Sequence, residues 1–184
     1  MPISVFLSRP SPHEDGQRRF LEAVQAHLHD RGLAPRTIGN TDYSREPMPH
    51  IRSVMMDCNG FLGLGFRRFK IIKGEDRPGA VGAYNNLGRV SNQWLTTPYL
   101  HLEAAIAFQL GLPILLFAEA GVIREGALEH GIMTMDKHAF DTTTEDGRQA
   151  FLDSEQWRQL TNSWEGEVRE VVYNKGQPPK LYHR

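Results

Sequence analysis

Short, strongly apolar runs, each closed by turn formers and separated by helical stretches, constrain this chain more than any other feature. Ile3-Ser4-Val5-Phe6-Leu7 is stopped by Ser8-Arg9-Pro10, and Phe61-Leu62-Gly63-Leu64-Gly65-Phe66 and Pro113-Ile114-Leu115-Leu116-Phe117 follow the same plan. Runs of this length and character read as strands buried on both faces. A helix from about Gln17 to Arg31 spaces Phe20, Leu21, Val24 and Leu28 at helical intervals and stops at Gly32. Ala34 to Ile38 reads as a strand that Pro35 pushes to an edge. Pro49 suits the first turn of a short helix, His50 to Met56, with Ile51, Val54 and Met55 on its apolar face. A further helix runs from Pro98 to Leu110, with Leu102, Ala105, Ile106 and Leu110 as its expected buried stripe.

Strand–helix–strand repetition with right-handed crossovers implies a parallel sheet covered on both faces. The expected fold is therefore α/β, a flavodoxin-like (Rossmann-like) open parallel sheet of about five strands. Ile132 to Met135 is the expected fifth strand, and Glu119 to Gly131 a loop with room for a short helix. A last helix, Ser154 to Val172, turns Trp157, Leu160, Trp164, Val168 and Val171 toward the core, and the tail from Asn174 onward is extended. Residues 1–184 read as one domain, the usual size being roughly 100–200 residues. Only Arg67 to Thr97 breaks the rhythm, being rich in glycine and weak in periodicity. Connections above about 12–15 residues are uncommon in compact domains. A lid, an oligomer arm and an insertion without fixed structure all fit the segment.

Composition narrows the function classes. Hydrophobic residues make up 40% and charged residues 23%, an ordinary globular balance, and the net charge of −1 gives no field toward nucleic acid polymers or membranes. The basic run Phe66-Arg67-Arg68-Phe69-Lys70 reads as a solvated loop or as a phosphate-facing patch. Cys58 is the single cysteine, which excludes an intramolecular disulfide and a cysteine metal cluster, and its apolar neighbours suggest an inert thiol. The apolar stretch Ala104–Ala120 is too interrupted to span a membrane, and the N-terminus lacks a secretory pattern, so a cytoplasmic location is expected. The scattered histidines suggest no metal site and nothing calls for a cofactor. Gly60 to Gly65 lacks the spacing of a dinucleotide fingerprint.

In open parallel sheets ligands bind beyond the carboxyl ends of the strands, where the strand order reverses. Ser8, Arg9 and Pro10 leave the first strand there, Phe66, Arg67 and Arg68 leave the third, and the helix from Pro98 starts over the same crevice. Glu103 lies in that helix's second turn, one turn beyond Tyr99. Its position near a helix N-terminus is favourable by about 0.3–1 kcal/mol. Yet Leu102, Ala104, Ala105 and Ile106 surround it, and an ionised carboxylate in apolar company is costly unless paired.

The run Trp94-Leu95-Thr96-Thr97-Pro98-Tyr99-Leu100-His101-Leu102-Glu103-Ala104-Ala105-Ile106-Ala107, with Gly111-Leu112-Pro113-Ile114-Leu115 after it, resembles the catalytic segment of nucleoside 2-deoxyribosyltransferase-like proteins. It is also similar to the related nucleotide-binding TIR-like group. Phe6-Leu7-Ser8-Arg9-Pro10 looks like that family's first strand and its substrate-touching exit. The resemblance spans roughly residues 3–120 and rests on short motifs. It implies cleavage or exchange of an N-glycosidic bond in a nucleoside or nucleotide, with Glu103 stabilising or trapping the cationic C1′ carbon. It further implies that Asp57 orients Glu103 and that Tyr99 or His101 assists the leaving base. Phe6, Ser8, Arg9, Pro10, Gly65, Phe66, Arg67, Trp94 and Thr97 then contact substrate. Thr97 stands where the family carries an acidic base-reading residue, so base recognition does not carry over. A sensing module without turnover, and an assembly subunit with a vestigial crevice, are the rival readings. Related proteins often complete their sites across subunits, so a homodimer or higher homo-oligomer is expected.

Overall fold

The computed structural model describes residues 2–38, 47–76, 78, 88–133 and 139–174. Its frame is a five-stranded sheet in the order β2-β1-β3-β6-β7, in which every pairing is parallel. The strands are β1 (Ile3–Ser8), β2 (Leu33–Arg36), β3 (Phe61–Gly65), β6 (Ile114–Glu119) and β7 (Ala139–Phe140). The helices are α1 (Asp15–Asp30), α2 (Pro47–Met56), α3 (Pro98–Gln109), α4 (Glu145–Leu152) and α5 (Glu155–Tyr173). This is the expected α/β flavodoxin-like fold. The strand order reverses beside β1, between β3 and β2, and that reversal opens a crevice beyond the carboxyl ends of β1 and β3.

Strand alternation sorts the core into two layers. Val5, Leu7, Leu62, Leu64 and Phe117 face α1 and α5, where Phe20, Val24, Leu28, Trp157, Trp164 and Val168 meet them. Phe6, Phe61 and Leu116 face α2 and α3, where Ile51, Met55, Leu100, Ala104 and Ala107 meet them. The two tryptophans of α5 thus reach the core as expected. Cys58 is buried, its thiol donates to the Val54 carbonyl, and burial pushes it up to about 11, which suits an inert group.

Three expectations change. The segment from Arg67 to Thr97 holds an antiparallel ribbon, β4 (Phe69–Asp76) against β5 (Gly88–Leu95), in place of an irregular connection. Almost every side chain of β4 is exposed, so no buried face imposes an alternating pattern on its sequence. The fifth strand is Ala139–Phe140, held to β6 by Ala118↔Ala139 and Glu119↔Phe140. Ile132 and Met133 lie in a turn instead, and Thr134 and Met135 fall outside the described residues. So do residues 39–46, 77, 79–87 and 175–184. Last, α4 was not expected: none of its residues is fully buried, so it carries little periodic signal.

The buried stripe of α3 also differs from expectation. Leu100, Ala104 and Ala107 are its buried residues, while Leu102 and Ala105 face outward. Nearly every position of this helix is apolar, so hydropathy alone does not set its rotation. The floor beneath it does. A Cβ on Gly63 would lie 2.4 Å from a Leu116 methyl and 3.0 Å from a Leu100 methyl, and one on Gly65 would lie 3.1 Å from Leu128. The two glycines therefore admit the protein's own core, not a ligand. Gly63→Ala is expected to overpack this contact and cost about 1–3 kcal/mol, read as a lowered midpoint in urea unfolding with an unchanged slope.

Candidate active site

With Leu100, Ala104 and Ala107 facing the sheet, Glu103 falls one helical turn past Leu100 on the flank of α3 that overlooks the exit of β1. Thr97 begins the helix, its hydroxyl accepting from the Tyr99 N–H at 3.4 Å, and Pro98 occupies the first turn, where no N–H is needed. The Ser8 hydroxyl, at the end of β1 and nearly fully buried, donates to Glu103 Oε2. Burial raises the Glu103 pKa above the ordinary carboxylate value, and the Ser8 hydrogen bond opposes that rise. Among the described residues no cation is paired with it. A carboxylate in this state is weakly solvated, and burial works against its charged form.

Beside Glu103, a cavity of about 520 Å³ opens beyond the carboxyl ends of β1 and β3. That volume lies within the range of about 300–1,000 Å³ common to small-molecule sites. Arg9, Pro10, Ser11 and His13 from the β1 exit form one wall. Ile38, Pro47, His50 and Ile51 form a second, and Arg68, Thr97, Tyr99 and Glu103 complete it. The first turns of α2 and α3 both open onto this space, so two helix N-termini add positive potential to that of the arginines. Arg68 is anchored by donation from Nη1 to Thr97 Oγ1 at 3.0 Å, and its guanidinium lies over the Phe69 ring.

The structure brings Ser8, Arg9, Pro10, Thr97, Tyr99 and Glu103 together, as expected from the strand exits and the helix start. It does not bring in the others. Asp57 precedes β3, on the opposite, amino-terminal edge of the sheet, where it is exposed and 3.5 Å from Arg36, so it does not orient Glu103. Phe6 is stacked on Phe61 inside the core, and Phe66 is buried against Phe20 and Phe140. Trp94 fastens the ribbon to the domain: its N–H donates to Gly121, its carbonyl accepts from Ile123, and Lys70 and Arg67 lie over its ring. His101 turns the other way and accepts the Ala127 N–H, and burial lowers its pKa. It is therefore not placed to serve a leaving base in the cavity.

Arg67 belongs to a second, buried carboxylate. Glu119, at the end of β6, accepts from Gln17 Nε2 at 2.9 Å, from the Arg67 N–H at 2.8 Å and from the Thr142 hydroxyl, and it pairs with Arg67 Nε at 3.2 Å. Three hydrogen bonds and one ion pair engage both carboxylate oxygens, and with no accessible side-chain surface the group is closed to ligands. Sequence reading missed this group, along with His13 and His50 in the cavity, and placed Arg68 only as part of a basic run at the exit of the third strand. A histidine in a helix's first turn after an edge strand, and a carboxylate ending an apolar strand, were the available signals. Among the described residues no cluster of three or more His, Cys, Asp or Glu side chains could hold a metal ion, and no helix is long and apolar enough to cross a membrane.

Sequence comparison matches neither a protein-family model nor a curated protein. Among solved structures the chain is similar to the CMP N-glycosidase BcmB of Clostridium botulinum, at 16% identity and a TM-score of 0.46, over 82% of this chain and 97% of that one.

Proposed function

We propose that the protein cleaves or exchanges the N-glycosidic bond of a nucleoside or nucleotide, with Glu103 as the group that meets the anomeric carbon. One observation carries this reading: a desolvated carboxylate, held among the described residues by the Ser8 hydroxyl alone, in the wall of a ligand-sized cavity at the sheet's switch point. The C1′–N bond breaks with its electron pair leaving on the base, and C1′ acquires oxocarbenium character. The ionised Glu103 stabilises that cation or bonds to it. Water then completes hydrolysis, or a second base completes exchange. Tyr99, half-exposed at the cavity wall, is assigned the role of hydrogen-bonding the departing base. Asp57 has no part.

The direct test incubates the protein with a panel of nucleosides and 5′-nucleotides and follows release of free base chromatographically. A ligand that raises the melting temperature yet is recovered intact by mass spectrometry would replace the enzyme with a sensing module. A panel in which nothing binds would end both readings.

A further inference from the structure

The buried stripe of α1 begins with an amide. Gln17, Phe20, Leu21, Val24 and Leu28 form one face of the helix, and Gln17 is as fully enclosed as the apolar residues that follow it. A buried carboxamide is costly unless its polar atoms find partners. Gln17 Oε1 accepts from the His13 N–H at 3.2 Å, while Nε2 donates to the Arg67 carbonyl at 3.2 Å and to Glu119 Oε2 at 2.9 Å. Only this orientation of the amide satisfies all three contacts, since a reversed one would set an oxygen against two acceptors. The oxygen end is a variant of a common helix cap. The third helical residue reaches back past the cap position, Glu14, whose own side chain makes no capping bond. A cap gives no reason for the nitrogen end, which crosses from α1 to the exit of β3. His13 at one end, and Arg68 next to Arg67 at the other, stand in different walls of the cavity beside Glu103.

We propose that Gln17 is a positioning residue of the candidate site: its carboxamide ties the exit of β1 to the exit of β3 and so fixes the spacing of the two walls that carry His13 and Arg68. This deepens the proposed function, and rests on that reading only in taking the cavity as the place where substrate is held. Gln17 is not one of the residues that line the cavity, and its hydrogen bonds go to neither Glu103 nor Ser8. It acts through the walls alone. The loop from Arg9 to Glu14 contains Pro10 and Pro12, which have no N–H to donate, so the His13 N–H is one of few groups by which that loop can be fastened. A carboxamide offers an acceptor to one exit and two donors to the other from a single planar group. What the clamp supplies is preorganisation: walls already held at their working spacing need not be ordered when substrate arrives. Its loss therefore shows in substrate capture, not in the charge that Glu103 presents to C1′.

Two substitutions separate the ends of the amide. Gln17→Glu keeps the acceptor for His13, and with it the cap, but removes both donors. Gln17→Met keeps the volume and removes both ends. Leu28→Val, in the same buried stripe at the other end of α1, supplies a core change that touches neither exit. Residue-resolved amide exchange is measured first, by NMR on the free protein. Gln17→Met should speed exchange at His13, Arg67 and Arg68, and Gln17→Glu at Arg67 and Arg68 with His13 still protected. Leu28→Val should leave all three as they are. In the base-release assay both Gln17 variants should raise KM about tenfold, the scale of one lost hydrogen bond, with kcat within about threefold of wild type. The acid limb of kcat/KM should not move, and Leu28→Val should lower Tm without changing KM. Gln17→Glu that matches wild type at Arg67 and in KM reduces Gln17 to a helix cap and overturns the proposal, as does a KM that simply follows Tm in all three variants. If the added carboxylate beside Glu119 prevents Gln17→Glu from folding, Gln17→Met decides alone, and unchanged exchange at Arg67 or unchanged KM overturns the proposal. Faster exchange at both exits in a protein that releases no base from any nucleoside or nucleotide sustains the clamp and removes the catalytic reading instead.

Discussion

Replacing Glu103 with glutamine is expected to abolish base release while making the unliganded protein more stable. The loss follows from charge: an amide of the same shape neither balances an oxocarbenium ion nor bonds to it. A fall of about 10³-fold or more in kcat/KM is the expected scale for removing a group that acts at the reacting atom. The gain follows from the raised pKa of Glu103. The folded state holds this proton more tightly than the unfolded chain does. The stability of the wild type is therefore complete below the ordinary carboxylate range, about 4.3, and declines as pH rises from there through the raised folded value. Glutamine has no such decline and can still accept from Ser8. About 0.5–2 kcal/mol at neutral pH, a few degrees in Tm, is the usual size of such a site penalty. The pH profile gives an independent check. With Glu103 required as the anion, kcat/KM should rise with pH on an acid limb lying above the ordinary carboxylate range. Ser8→Ala removes the hydrogen bond that holds the pKa down, so it should move that limb to higher pH. A glutamine variant that is less stable than wild type, with base release intact, would mark Glu103 as a structural helix residue.

The parts of this fold that could be read from sequence are those where burial imposes a pattern. β1, β3 and β6 are short apolar runs because both faces are covered, and α5 shows its phase because Trp157, Trp164, Val168 and Val171 alternate with charged neighbours. The parts that could not be read are those where burial imposes nothing. β4 is exposed on both faces, α4 buries no residue fully, and β7 is two residues held by backbone pairing to β6. The rotation of α3 lay in between. Its sequence is apolar almost throughout, so the glycines of the strand beneath it decide which face is buried, and with it the flank on which Glu103 stands.

The site divides on similar lines. Ser8, Arg9, Pro10, Thr97, Tyr99 and Glu103 follow from topology, because strand exits and the next helix's start share one edge of a parallel sheet. The same rule excludes Asp57. A residue just ahead of a parallel strand lies on the other edge, and motif resemblance carries no information about that edge. His13 and His50 needed coordinates, since their sequence surroundings read as ordinary loop and helix ends, whereas Arg68 follows from the exit of the third strand.

Glu119→Ala is expected to be the most destabilising single change described here, although the residue touches no ligand. It would leave the Gln17 amide, the Arg67 N–H and the Thr142 hydroxyl without their shared acceptor, and the Arg67 guanidinium without its buried counter-charge. Breaking a buried pair from one side costs about 3–5 kcal/mol when the surviving charge remains desolvated, and the half-exposed Asp141 at 3.5 Å from Arg67 offsets only part of that. Water is poorly placed to replace the acceptor. Glu119 has no accessible side-chain surface, and Gly16 packs so closely on Thr142 that a Cβ there would lie 2.0 Å from its carbonyl oxygen. The group also has a mechanical role. Gln17 belongs to α1, Arg67 precedes the ribbon, Glu119 ends β6, and Thr142 follows β7, so one carboxylate joins four segments that frame the far side of the switch-point edge. Its loss should speed amide hydrogen exchange in β7 and at Arg67 and Arg68, well before α5 or β1 are affected. Since Arg68 is held next to that junction by Thr97, ligand affinity should fall along with stability, whereas Glu119→Gln, which keeps the acceptor oxygen, should recover part of both. Uniform exchange across the sheet, or a loss of stability under 1 kcal/mol, would show that these segments are held by their apolar contacts alone.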